Sequence, residues 1–215
     1  MLKLVALALM TCLSCTAEAG VIFDNETPGS TGGGYAVGLY PGSANTWAIG
    51  FSFVVPAGSN PELAGGSFVA SFGGGSDNDI TVSLEASSGG LPSSVVESWD
   101  IDNVLGSNSA IIPFTSLSHP QLEGGETYWL VASMVDPTTS TSYWWTPATS
   151  GTGGVEADSE NGGAFYLYTL PSTYSLGAFA IYSVPEPATW AMTLIGFAGI
   201  GLAALSRRRR LAAAV

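Results

Sequence analysis

The stretch Thr46-Trp47-Ala48-Ile49-Gly50-Phe51-Ser52-Phe53-Val54-Val55 puts Trp47, Ile49, Phe51, Phe53 and Val55 at every second position. Successive side chains of a β-strand point to opposite faces, so these five share one face; Thr46, Ala48, Gly50, Ser52 and Val54 take the other. A helix would need apolar residues three and four apart. Asp79 to Ser87 repeats the pattern, with Ile80, Val82, Leu84 and Ala86 on one side and Asp79, Thr81, Ser83, Glu85 and Ser87 on the other.

Working outward, further strands are predicted at Val21–Asp24, Tyr35–Tyr40, Ser67–Phe72, Val95–Trp99, Ala110–Phe114, Thr127–Val135, Ser142–Thr146, Ala164–Leu170 and Gly177–Ser183. Clusters such as Gly32-Gly33-Gly34, Gly73-Gly74-Gly75, Ser88-Gly89-Gly90, Gly124-Gly125 and Gly162-Gly163 separate them and mark turns. Many short strands with regular turns predict an all-β domain over residues 20–183. The expected fold is a jelly-roll-like antiparallel β-sandwich, each sheet with one wet face.

Of 215 residues only 5 are Lys or Arg, against 17 acids, for a formal charge of −12. The bases are Lys3 and Arg207, Arg208, Arg209 and Arg210, so positive charge sits only at the chain ends. A chain of this charge repels nucleic acid, whose binding needs Lys and Arg against phosphates.

At the start, Met1-Leu2-Lys3 precedes an apolar run from Leu4 to Leu13, and Ala17-Glu18-Ala19 forms a small-x-small site. This predicts a secretory signal peptide over 1–19, cut after Ala19 and handled by the Sec export machinery. A buried helix and lipidation at Cys15 are the alternatives. Cys12 and Cys15 both fall inside this leader, so the mature chain has no disulfide, thiolate nucleophile or cysteine metal site.

At the other end, Val184-Pro185-Glu186-Pro187 precedes an uncharged apolar stretch from Ala188 to Leu205, then Arg207–Arg210 and a tail at 211–215. As a helix, residues 188–205 reach roughly 27 Å, close to a hydrocarbon core of about 30 Å. The arginines then lie in the cytoplasm and the preceding domain outside, as the leader also requires. A membrane-spanning helix over 188–205 is therefore predicted. Without leader and tail, residues 20–187 keep sixteen acids and no Lys or Arg, a formal charge of −16.

The Pro-Glu-Pro motif, single span and terminal arginine cluster resemble the PEP-CTERM sorting signal of Gram-negative bacteria. The resemblance covers residues 184–210. It implies recognition by an exosortase, a membrane transpeptidase, with Val184, Pro185, Glu186 and Pro187 as the motif. A plain single-span anchor is the alternative. The β region also resembles the choice-of-anchor exported domains that precede such signals. The matching pieces are Asp24-Asn25, the Trp47–Val55 strand, Val82-Ser83-Leu84, Gly90-Leu91-Pro92, Leu122–Leu130, Gly163–Tyr166 and Ala178–Ile181. That resemblance implies a β-sandwich at the cell surface and no particular activity.

Catalytic signals are thin. His119, the one histidine, stands before Pro120 in a Ser/Pro-rich connection and reads as a solvated loop residue. There is no nucleophile elbow, zinc-protease helix or phosphate loop. Asp77-Asn78-Asp79 and the group Asp100, Asp102 and Asn103 offer oxygen ligands of the kind calcium takes, so structural calcium is considered there, around Asp77, Asp79, Asp100 and Asp102. Glu156, Asp158 and Glu160 form a third, weaker group; solvated turn carboxylates are the plain reading of all three. Tyr143, Trp144 and Trp145 are the candidate glycan-binding aromatics. Adjacent tryptophans on a strand face opposite ways, so one belongs in the core. The expectation is a non-enzymatic protein of the cell surface or extracellular matrix, linked to exopolysaccharide or biofilm. It needs no cofactor beyond the calcium considered, and its partners are exosortase and an extracellular polysaccharide. The alternatives are a carbohydrate-binding module and, behind it, a two-carboxylate glycosidase.

Overall fold

The structure is a computed structural model that describes residues 20–27, 34–39, 43–136, 141–149, 155–168 and 175–185. The chain divides into a unit Val21–Val184 and a second unit of Met1–Gly20 with Pro185–Val215. The predicted signal peptide, with Ala17 and Ala19, and the predicted span over 188–205 lie outside the described residues. Among the described residues, no helix is long and apolar enough to cross a membrane.

Among the described residues, twelve strands follow one another: β1 (Gly20–Asp24), β2 (Tyr35–Leu39), β3 (Thr46–Val54), β4 (Leu63–Gly74), β5 (Asp79–Ser88), β6 (Leu91–Asp102), β7 (Ala110–Thr115), β8 (Thr127–Met134), β9 (Ser142–Trp145), β10 (Glu156–Glu160), β11 (Tyr166–Tyr168) and β12 (Phe179–Ser183). All belong to a single sheet with the path β1-β12-β4-β9-β2-β3-β8-β5-β6, to which β7 adds along β4, and β10, carrying β11, along β3. Every recorded register is antiparallel. Where two separate sheets are expected, one continuous sheet curls so that its halves face each other.

β3 is the pivot. Ile49, Phe51 and Phe53 are buried, as the alternation requires. Phe51 meets Trp145 of β9 edge-on at 4.9 Å, and Phe53 meets Phe179 of β12 at 6.0 Å. Phe23 of β1 stacks on Phe179 at 4.7 Å. The two contacts of β3 join the β3–β8–β5 half to the β12–β4–β9 half. Edge-to-face aromatic pairs add to the gain from buried area.

The outer face is less wet than expected. Trp129 and Val131 of β8 and Ala157 of β10 form a second small core there, against Leu91 and Phe165. Gly50 makes the room: a Cβ on it would stand 3.1 Å from the Val131 side chain and 3.4 Å from the Trp129 ring. The β5–β6 hairpin closes through Gly89 and Gly90, with φ of 61° and 81°. Positive φ at both positions is the tight turn that suits strand twist, and glycine adopts it at little cost.

β10, with the sequence Glu-Ala-Asp-Ser-Glu, is the one strand not expected. It hydrogen-bonds to β3 from Glu156↔Phe51 to Glu160↔Trp47. Replacing Phe51 by Ala is expected to lower the unfolding free energy by about 3–5 kcal/mol, measured by denaturant titration.

Candidate functional site

β12 leads into the predicted sorting motif. It lies between β1 and β4 in the sheet, and Phe179, Ala180 and Ile181 are fully buried. The Val184 N–H donates to the Glu62 carbonyl at 2.8 Å. Pro185 has no N–H to give to the backbone ladder. The motif therefore starts at a residue hydrogen-bonded to the β domain. Glu186, Pro187 and Arg207, Arg208, Arg209 and Arg210 lie outside the described residues.

The predicted glycan-binding aromatics separate. Tyr143 and Trp145 are core residues, each 1 % exposed, which corrects their candidacy: no sugar ring reaches them. The Trp145 indole donates to the Ala178 carbonyl at 3.0 Å, and the Tyr143 hydroxyl to the Asp79 carbonyl at 2.7 Å. Burial, with the negative charge of Asp79 and Asp77, pushes the Tyr143 hydroxyl up to about 12. Trp144, on the opposite face, stays half-buried.

The two acidic clusters considered for calcium come to one end of the β5–β6 hairpin, where Asp79 stands opposite Asp102 and Thr81 opposite Asp100. Asp100 accepts from the Thr81 hydroxyl at 2.8 Å, and the Asp77 N–H donates to Thr141 Oγ1 at 3.2 Å. Among the described residues, no three Asp, Glu, His or Cys side chains converge as a metal site. His119 has a positive φ of 47°, and its Nδ1 is 2.9 Å from the Leu63 carbonyl oxygen.

The third acidic group, read from sequence as turn carboxylates, is instead built into a strand. Directly opposed residues of an antiparallel pair share a face. Glu156 and Asp158 oppose Phe51 and Ile49 on one side, and Tyr168 and Tyr166 on the other. Both acids therefore point to the core face of β3 and are 3 % and 6 % exposed. Glu156 Oε2 and Asp158 Oδ1 have no hydrogen-bond donor among the described residues. Two carboxylates offer only acceptors, so a proton held between them, or a donor from outside, must satisfy these atoms. Burial raises the Glu156 carboxyl to about 8, and the adjacent Asp158 charge adds to the rise. Burial likewise raises Asp158, partly offset by its hydrogen bond to Glu156. The pair thus holds one proton near neutrality. Glu160, next on this face, accepts from the Asn45 side chain. Tyr166 and Tyr168 keep 42 % and 49 % of their surface in solvent. The signal for this group was the spacing 156, 158, 160, the same period two that marks β3.

Comparison with known protein families finds one match. Residues 183–210 carry the PEP-CTERM protein-sorting motif. No curated protein and no solved structure matches the chain. The PEP-CTERM match supports an exported exosortase substrate that begins as a membrane-anchored precursor. Its first two residues, Ser183 and Val184, are the end of β12 and the strand's last bonded residue, so the sorting segment is covalently continuous with a buried strand.

The acid pair sets a pH dependence for the β domain. The folded-state value of Glu156, about 8, lies above its ordinary 4.5. Its contribution to stability is fully present below the ordinary value and is lost as pH rises through about 8. The melting temperature is expected to fall between pH 5 and pH 9, and Glu156→Gln to flatten that fall. Thermal unfolding of both proteins across the range checks it; parallel curves would contradict it.

Proposed function

We propose that the chain is a non-enzymatic surface protein. It is exported, held in the inner membrane of a Gram-negative bacterium by its C-terminal segment, then processed by an exosortase and delivered to the cell surface or extracellular matrix. The carrying observation is the PEP-CTERM match at 183–210. Pro185 and Pro187 disfavour the helical region at the residues before them. Val184, at the start of the motif, is bonded to Glu62 of the β domain. A jelly-roll-like or choice-of-anchor relationship for that domain, and a link to exopolysaccharide or biofilm, belong to the same reading.

A second reading is a carbohydrate-binding module. The exposed pair Tyr166 and Tyr168 favours it, rather than the mostly buried Tyr143-Trp144-Trp145. The pair Glu156 and Asp158 does not suit glycoside hydrolysis. That reaction needs two carboxyl groups flanking a bond, about 5–9.5 Å apart, whereas Glu156 and Asp158 hydrogen-bond to each other.

Surface-delivered protein is expected to lack the residues beyond about position 187. Intact-mass spectrometry reads this directly, and Arg207–Arg210 still attached to surface protein would sink the reading. Pro185→Ala with Glu186→Ala is expected to leave the unprocessed form in the membrane fraction.

A further inference from the structure

Several connections meet at the end of the β domain where the chain leaves it. Val184 bonds to Glu62; Leu63, next to it, pairs with Ser183 and bonds to Pro120. β7 ends there, with Thr115 opposite Gly65, and the Ser116 N–H bonds to Ala64. β3 ends and β8 begins there, with Val54 opposite Thr127, tied to Pro61 and Asn60 through Leu122 and Gly124. Asn25, just after β1, bonds to Phe179, the first residue of β12. The two strands are sheet neighbours, so β1 runs back along β12 and Val21 lies at the same end. We propose that this end of the domain docks on the lipid surface of the membrane while the precursor is anchored, with Leu117 entering the interface and Val21 and Val54 as further apolar contacts. The proposal rests on the anchored precursor of the sorting reading.

Three observations carry it. Leu117 is 87 % exposed, the most of any large apolar side chain among the described residues, and Val21 and Val54 are also largely in solvent. A single exposed apolar residue needs no explanation; the turn that holds this one out does. The Leu117 and Ser118 N–H groups donate to Glu97 Oε1 at 2.7 and 3.1 Å, and the Ser116 hydroxyl donates to Glu97 Oε2 at 2.6 Å. The His119 N–H donates to Ser116 Oγ at 2.9 Å, and the Trp99 indole to the Thr115 carbonyl at 2.9 Å. A side chain already held in place loses little freedom on docking. The third observation is the tether. The apolar stretch of the sorting segment begins at Ala188, four residues after Val184. Four residues reach roughly 14 Å at most, so the membrane surface cannot be far from this end of the domain.

Charge decides the kind of contact. Glu62, Glu123 and Glu126 are exposed at this end, and no Lys or Arg accompanies them. Attraction to anionic headgroups is therefore not available, and the contact is an apolar one with neutral lipid. A few aliphatic side chains bind a bilayer weakly from solution. Here the short tether makes the contact intramolecular, at an effective concentration in the millimolar range, so weak insertion is enough.

The test uses the full chain with Cys12→Ser and Cys15→Ser, which leaves no other cysteine, reconstituted in phosphatidylcholine vesicles. A fluorophore is attached in turn at Leu117→Cys, Val54→Cys and Val104→Cys. Val104 follows β6 at the opposite end, where Asp102 faces Asp79 and Ile80 faces Met134. Lipids carrying a nitroxide at the headgroup boundary are expected to quench position 117 at least about twofold more than position 104. Leu117→Asp is expected to bring quenching at Val54→Cys down to the level of position 104. Thermal unfolding of each variant separates a lost contact from a lost fold. Three results would overturn the proposal. One is equal quenching at 117 and 104, and another is unchanged quenching at 54 in the Leu117→Asp chain. The third is a label at 117 that is shielded only when an exosortase shares the vesicle, since the partner is then a protein. None of them touches the sorting reading, which stands or falls on the mass of the processed chain.

Discussion

A carboxylate anywhere between residues 4 and 206 has no lysine or arginine on that stretch to pair with. Each acid must therefore be solvated, hydrogen-bonded by neutral donors or protonated, since an isolated buried charge is very costly. The structure uses all three solutions. Burial alone would push the Glu97 carboxyl up, but hydrogen bonds from Ser116 and from the Leu117 and Ser118 N–H groups outweigh it and hold it low. Glu85 accepts from the Ser83 hydroxyl at 2.9 Å, yet burial still raises it. Asp100 has Thr81 and Glu160 has Asn45. Among the described residues, Glu156 and Asp158 have each other, with a proton held between them.

With no Lys or Arg between residues 4 and 206, cohesion of the β domain rests on apolar burial and the backbone ladder. Buried apolar area contributes about 25 cal/mol per Å². The largest fully buried side chains include Trp129, Trp145, Tyr143, Phe51, Phe68 and Phe179, drawn from β8, β9, β3, β4 and β12. The contact of Phe51 with Trp145 ties the two halves of the curled sheet, and Phe68 and Phe179 pack on the same indole. The same packing holds β12 in place, and through it the start of the sorting segment at Val184.

Much of this architecture was legible in residues. The alternation of β3 and β5 told which side chains face the core, and the glycine pair at 89 and 90 told where a hairpin turns. The rule for adjacent tryptophans foretold that one of Trp144 and Trp145 would be buried. It was silent on which one, because a face is core only relative to the strand opposite. The outer cluster around Trp129 was hidden for a related reason: Gly50 and Ser52 read as a wet face until Leu91 and Phe165 are seen to cover it. β10 was missed because Asp and Glu disfavour strands and five mostly polar residues suggest a turn. Its pairing with β3 overrides that preference, since the edge of β3 offers hydrogen bonds that only a strand can make.

By itself, the sequence determined the all-β class, the strand periods, the one-sided charge and the sorting motif, since these are written in local spacing and composition. Which acids are buried, which aromatics stay in solvent, and how the sorting segment joins the domain were decided by tertiary structure alone. Those properties depend on strand register, and register pairs residues distant along the chain, as Glu156 with Phe51 and Tyr168.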